Sequence, residues 1–533
     1  MSLLPVMKKG VHGMKRMALT SRSPIDMVHL KKLAPALSCM FSTAVDEGHT
    51  NGSPRVNAHH VPDARTAPPF HAKDNQIDSS AISRRHWESD WSIEELRAAQ
   101  AKNVVATWGP TKATANLPML THSEGVYLYD SDGKQYLDWT SQAVCTNLGY
   151  DVPPAVVEAV TKQLTTLPMV YGGLGMVEVR CRMAQLLSEI LPGDLTGLLF
   201  PCGGGEANEA AIRIARRYTG RQKVLTQYRS YHGGSTTGLA ATGDFRRWWA
   251  ESNATGFIKM LSPNPTTFSW ADSERAAGEM ALAALEEQII HEGPGTIAAI
   301  LLESIIGSGG ALKHPPGYIQ GVRALCDKYG IVYIADEVMV GFGRTGELWG
   351  FQHYEGVIPD IVTSAKGLSA AYMPLAMVAM RQSLKDFFED APLGWGATYQ
   401  AHPVALACAY ECVKHLLEHN IPAHAKAMEA TMVEEMGALL ERHPSVRQAR
   451  AAGLFGCLDL VDADGQYVQQ VSGPAAPASM ELKKAMMDNG LFGLFRPPFL
   501  HCAPPLVITE AELRDGFSRL DRSLDTFDKA VGL

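Results

Sequence analysis

The run Ile331-Val-Tyr-Ile-Ala335, followed at once by Asp336-Glu337-Val338, is the stretch on which the fold turns. A short, unbroken apolar run bounded by turn or polar residues is the pattern of a strand covered on both faces. Thr296–Leu302 repeats the pattern upstream, and Tyr318–Tyr329 between them has the spacing of a crossover helix. Strand, helix, strand in that order predicts a mostly parallel sheet with helices over it. Further out, Lys223–Thr226 is another strand, Leu198–Pro201 a short apolar stretch and Glu206–Arg217 an alanine-rich helix. Val156–Thr165 and Val177–Ile190 carry the three- and four-residue spacing of amphipathic helices.

Past about residue 410 the rhythm changes. Helices over Ala405–Glu418 and Ala425–Arg442 lead into a strand at Phe455–Val461. A helix over Ser479–Asn489 follows, with Ser479 as N-cap and Gly490 as stop, and Glu510–Asp528 closes the chain. Residues 151–410 are therefore expected to form a large α/β domain and 411–533 a smaller α+β one, to which 81–150 contribute. In that N-terminal part, Tyr127–Asp138 predicts a hairpin turning at Ser131-Asp132-Gly133.

The 533 residues, 46% hydrophobic and 20% charged, have the composition of a soluble globular enzyme with room for two domains. A net charge of −8 gives no reason to expect nucleic acid or an acidic membrane surface as a partner. No apolar run is long enough to cross a bilayer. Residues 1–45 stand apart: Lys8, Lys9, Lys15, Arg16 and Arg22 all precede the first carboxylate, Asp26. Such a basic, serine-containing, acid-poor start has the composition of an organellar transit peptide. It predicts the mitochondrial matrix, with a plastid, or the cytoplasm for a plain basic extension, as alternatives. Residues 46–80 are rich in His and Pro and predict a flexible linker, so the folded body begins near Ala81–Trp91. The nine cysteines include no CxxC pair. Cys408, Cys412 and His415 could share a helix face, but no second ligand cluster stands near them, and no metal is expected.

Three features sit at predicted strand ends, where open α/β sheets bind ligands. Asp336 leaves a buried strand, and a carboxylate there needs a cationic partner such as a heterocycle nitrogen. Lys366 follows the short apolar stretch in Pro359-Asp-Ile-Val-Thr-Ser-Ala-Lys366-Gly, and a lysine in an apolar pocket becomes a nucleophile suited to aldehydes. Cys202-Gly-Gly-Gly-Glu206 opens a helix, where glycines let the backbone and its N–H groups approach a phosphate. Taken singly, each has a plain alternative: a loop carboxylate, a surface lysine, an ordinary turn. In this order they match the three handles of pyridoxal 5′-phosphate (PLP).

Residues 100–530 resemble the class III (ω-) aminotransferases of PLP fold type I. The resemblance is carried by Gly204-Gly-Glu-Ala-Asn-Glu-Ala-Ala211, Ser230-Tyr-His-Gly233 and Leu302-Glu303. It is carried also by Ile334-Ala-Asp-Glu-Val-Met-Val-Gly-Phe-Gly-Arg-Thr-Gly346, Pro359–Gly367 and Thr398. It implies a large domain with a mostly parallel seven-stranded sheet, a smaller α+β domain and a homodimer or dimer of dimers. It also implies roles. Lys366 would hold PLP as a Schiff base and shuttle a proton, and Asp336 would pair with the pyridine nitrogen. Val338 and Tyr231 would cover the two ring faces, and Gly204 and Gly205 would offer N–H groups to the phosphate. Thr398 would reach the phosphate of a neighbouring subunit. Glu303 would position substrate or a mobile arginine. The family's usual hydroxyls are missing at Gly203 and Gly205, which leaves the phosphate to backbone N–H groups, His232 or Thr398.

Arg496, in Leu494-Phe-Arg-Pro497, resembles the mobile arginine of ω-amino acid:pyruvate enzymes, although the segment from it to Pro504 is shorter here. Such an arginine would hold the carboxylate of a keto acid in a bidentate pair. Cys145-Thr-Asn-Leu-Gly-Tyr150 resembles the same subgroup, and Val144 stands where some amine-converting members have tryptophan. The expected reaction carries an amino group from an ω-amino acid or related amine of the β-alanine, taurine or GABA type to pyruvate or glyoxylate. It would be a ping-pong cycle through pyridoxamine phosphate. A 2-oxoglutarate-linked transaminase of the acetylornithine type, and a decarboxylating or aminomutase relative, are the alternatives.

Overall fold

The inner strands of the central sheet are buried along their length, and the strand order shows how. The computed structural model describes residues 90–114, 117–249, 254–264, 267–468 and 476–533; the expected transit segment and linker lie outside them. Strands β1 (Leu120–Glu124), β2 (Tyr127–Asp130) and β3 (Gln135–Asp138) form an antiparallel meander, with the hairpin turn where the sequence puts it. Then come β4 (Gly197–Leu199), β5 (Lys223–Gln227), β6 (Phe257–Met260) and β7 (Ile297–Glu303). A two-residue hairpin, β8 (Ile305–Ile306) and β9 (Leu312–Lys313), precedes β10 (Val332–Asp336), β11 (Ile361–Ser364) and β12 (Met377–Met380).

These give a seven-stranded sheet in the order β4-β12-β11-β10-β7-β5-β6. β12 runs against both its neighbours and the rest are parallel, as expected of this class. Every residue of β7 and β10 is buried, as their unbroken apolar runs require. The crossover helix spans Tyr318–Tyr329 and buries Tyr318, Ile319, Val322 and Cys326. Gly330 ends it at φ 61°, the left-handed conformation that glycine adopts without strain. The Gly204–Thr219 helix lies against β11, β12, β7 and β10 through Ala207, Ala210, Ala211 and Ala215, residues small enough to bring its axis close.

In the C-terminal part, β13 (Val446–Ala452), β14 (Phe455–Leu460), β16 (Phe495–Arg496) and β17 (Phe499–Cys502) form a sheet in the order β13-β14-β17-β16. Between them in sequence, β15 (Leu491–Phe492) joins β3 in parallel. One capping expectation is corrected. Pro477 starts the helix earlier, over Pro477–Asp488, so Ser479 is fully buried inside it and Ala476 takes the cap position.

Two residues of the Asp336–Gly346 motif are structural. Arg344, wholly buried, donates to Leu454 O (3.1 Å), Pro504 O (2.6 Å), Ser141 Oγ (3.0 Å) and Asn147 Oδ1 (3.0 Å). It thereby ties the segment after β3 to the turns before β14 and after β17. Glu337 accepts from Ser304 Oγ, Gly350 N and Phe351 N, and burial raises its pKa to about 7.

Candidate active site

Strand register brings the first acids together. Glu303, Asp336 and Thr363 are direct partners at the C-terminal ends of β7, β10 and β11. Lys366 lies just beyond β11, in a 3-10 turn, at φ 37°. A non-glycine residue in that region is strained, and such strain is held where surrounding packing imposes it, often at functional sites. Burial lowers the Lys366 pKa to about 8, with Cys145 and then Arg496 as the next influences; Asp336 and Glu303 are also in electrostatic reach. An amine with that pKa is substantially neutral near pH 8 and can attack a carbonyl carbon.

Asp336 is 3% exposed. Its Oδ1 accepts from Val338 N (2.9 Å), and its Oδ2 accepts from Asn208 Nδ2 (2.8 Å) and lies 2.8 Å from His232 Nδ1. Thr363 Oγ1 in turn donates to Asn208 Oδ1 at 2.7 Å, which fixes the amide's orientation. A carboxylate offers about four acceptor sites. Three are used, and the remaining one suits the N–H of a protonated ring. The ring of His232 is engaged with Asp336 through Nδ1, so it supports the acid. Its Nε2 is buried without a partner among the described residues. Sequence reasoning misses Asn208; a polar residue on the buried face of an alanine-rich helix is the signal that points to it.

The glycine run fits a phosphate. Gly203 occupies the N-cap of the Gly204–Thr219 helix with no side-chain cap, so the first-turn N–H groups are uncapped. A Cβ on Gly204 would fall 2.6 Å from Val338 Cγ1, and one on Gly205 would lie 3.4 Å from Gly233 Cα. Position 204 is thus packed against Val338 at a spacing that only glycine permits, while a Cβ at 205 would make an ordinary contact. Gly204→Ala is expected to cost about 1–3 kcal/mol of stability through overpacking and to weaken cofactor retention. Thermal unfolding and cofactor titration check this.

Tyr231 donates its backbone N–H to Glu303 Oε1 (2.9 Å), and Gly307 N donates to Oε2 (2.7 Å). Burial raises the Glu303 pKa to about 7, against the opposing effect of His232. Glu303 therefore anchors two loops of the site. It forms no ion pair with Arg496, whose Nη1 donates to Ser308 Oγ at 3.2 Å. Burial lowers the Arg496 pKa to about 10. Thr398 is exposed and makes no hydrogen bond to the Gly203–Gly205 turn of its own chain. Cys408 and Cys412 are buried in the Pro403–Glu418 helix; no group of metal-ligating residues occurs among the described residues. Nor is any described helix long and apolar enough to cross a membrane.

A depressed lysine, an acid with one acceptor site left and an uncapped glycine turn meet at neighbouring strand ends, which is what PLP chemistry on fold type I requires. The comparisons agree. The family described as Aminotransferase class-III matches residues 110–524. The taurine–pyruvate aminotransferase of Rhodobacter capsulatus is 32% identical, over 78% of this chain and 92% of the relative. The putrescine–pyruvate aminotransferase of Pseudomonas aeruginosa is 29% identical, over 78% and 91%. A crystal structure of taurine:2-oxoglutarate aminotransferase from Bifidobacterium kashiwanohense, in complex with PLP and glutamate, superposes with TM-score 0.77. It is 34% identical and covers 83% of this chain and all of that one. The chain belongs to the class III aminotransferases and is a PLP-dependent transaminase.

Proposed function

We propose that the enzyme moves the amino group of an ω-amino acid or related amine, of the β-alanine, taurine or GABA type, to pyruvate or glyoxylate. The observation that carries this is Arg496. It is a largely buried guanidinium with no carboxylate partner among the described residues and a single bond to Ser308, within electrostatic reach of Lys366. Burying an unpaired charge is costly, so such a residue is kept for an incoming anion. Bound PLP supplies an electrophilic carbonyl and an electron-withdrawing ring. The chain supplies the rest. Lys366 Nζ attaches the cofactor and, once displaced, moves a proton between substrate carbon and cofactor. Asp336 keeps the ring nitrogen protonated, and Arg496 aligns substrate through its acid group.

Arg496→Ala is expected to lower kcat/KM for acid-bearing donors and for pyruvate by about 10²-fold. An alkylamine donor without an acid group should lose less in its own half-reaction. The decisive product test is formation of alanine from pyruvate, or glycine from glyoxylate, with a terminal amine. Equal or better turnover with 2-oxoglutarate, yielding glutamate, would favour the alternative acceptor, the one named for the Bifidobacterium relative. We propose also that Thr398, being exposed, completes the phosphate site of a second subunit in a homodimer, whether or not dimers pair. The two-domain division at residues 150 and 410, and delivery of the protein to the mitochondrial matrix, are proposed on the sequence pattern described above.

A further inference from the structure

Tyr231 has two guanidinium neighbours. Arg246 lies over its ring, with Cζ 3.4 Å from the centroid. Arg496 is close enough that Arg246 depresses its pKa. Arg246 is 5% exposed and fixed by Asp244. Its Nε donates to Asp244 Oδ1 (3.1 Å) and Oδ2 (3.0 Å), Nη2 donates to Oδ2, and its backbone N–H donates to Oδ1 (3.0 Å). Its Nη1 has no hydrogen-bond partner among the described residues, and Arg496 uses only Nη1, on Ser308. Asp244 is the one carboxylate that bears on Arg496. Two arginines therefore share one acid, leaving one positive charge uncompensated beside Tyr231.

We infer that Arg246 is a second anion-binding residue of this pocket, acting with Arg496 and Ser308 on one substrate acid group, and that the set prefers a sulfonate to a carboxylate. The inference rests on the reading of Arg496 given above. A planar carboxylate has two oxygens, and a bidentate pair with one arginine engages both. A sulfonate has a third oxygen outside that plane, which needs a further donor. Nη1 of Arg246 supplies it, and its guanidinium is already held in place by Asp244 and the Tyr231 ring. Little ordering is then left to do on binding.

The test uses two anions that carry no amine and cannot react, ethanesulfonate and propionate. Each is titrated into the holoenzyme and followed by calorimetry and by the absorption of the bound cofactor. Ethanesulfonate should bind about tenfold more tightly, the worth of one charge-assisted hydrogen bond. Arg246→Gln should bring the ratio near one while propionate affinity stays within about threefold, and Arg246→Lys should restore part of the preference. Equal affinities in the unaltered enzyme would overturn the inference without any variant. So would an unchanged ratio in Arg246→Gln, or an equal loss for both anions, which would leave Arg246 only packing Tyr231. Tighter binding of glutarate than of either would assign the second arginine to a separate carboxylate and overturn it as well. Failure of both anions to bind would instead sink the reading of Arg496.

Discussion

Lys366→Ala is expected to lose at least about 10⁴-fold in kcat/KM, because in the proposed reaction one side chain would supply both the attachment point and the proton carrier. The fold should survive. Replacing Lys366 removes a buried amine whose pKa is lowered by desolvation and leaves the backbone at φ 37° as it was. Circular dichroism should therefore be native-like while the band of lysine-bound PLP, at about 410–420 nm, is missing. The depressed pKa adds a pH signature to the unaltered protein. Burial disfavours the charged amine, so the neutral, reactive form gains as pH rises through about 8. The rate at which apoenzyme takes up PLP should climb across that range and then level.

The second large effect is expected at Asp336. Asp336→Asn preserves size but removes the charge that, in the proposed reaction, would hold a ring N–H, and transition-state charge stabilisation of this kind is worth about 10²–10³-fold in kcat. The cofactor band should remain, since Lys366 is intact. That separates the two variants: one loses the band, the other keeps it and still fails. A loss in Asp336→Asn of under about tenfold would mean the carboxylate does not govern the ring, against the acceptor count drawn from Asn208, His232 and Val338.

Much of this site is legible in the amino-acid sequence. β7, β10 and the Tyr318–Tyr329 helix stand out because strands buried on both faces must be apolar throughout and a crossover helix must show a stripe. Lys366 and Asp336 stand out because both follow such strands. What is not legible depends on tertiary meetings. The Glu274–Glu292 helix buries mainly Ala277, Gly278, Ala281, Leu285 and Ile289, and small residues on the inner face leave little stripe to detect. β16 has two residues, and its end at Arg496 is followed by two prolines, so no period could show it. Arg246 sits two residues from Asp244 in no recognised motif, and its place against Tyr231 is made by the fold alone. The meeting of the His232 ring with Asp336 is likewise made by the fold, 104 residues apart in the chain.

The proposed transamination is tested most simply by a visible spectrum of the purified protein, before and after a terminal ω-amino acid and then pyruvate. The band at about 410–420 nm should be lost with β-alanine or taurine and restored by pyruvate, two half-reactions at one site. A band that persists with every terminal amine bearing an acid group would contradict the role given to Arg496 and the donor class with it.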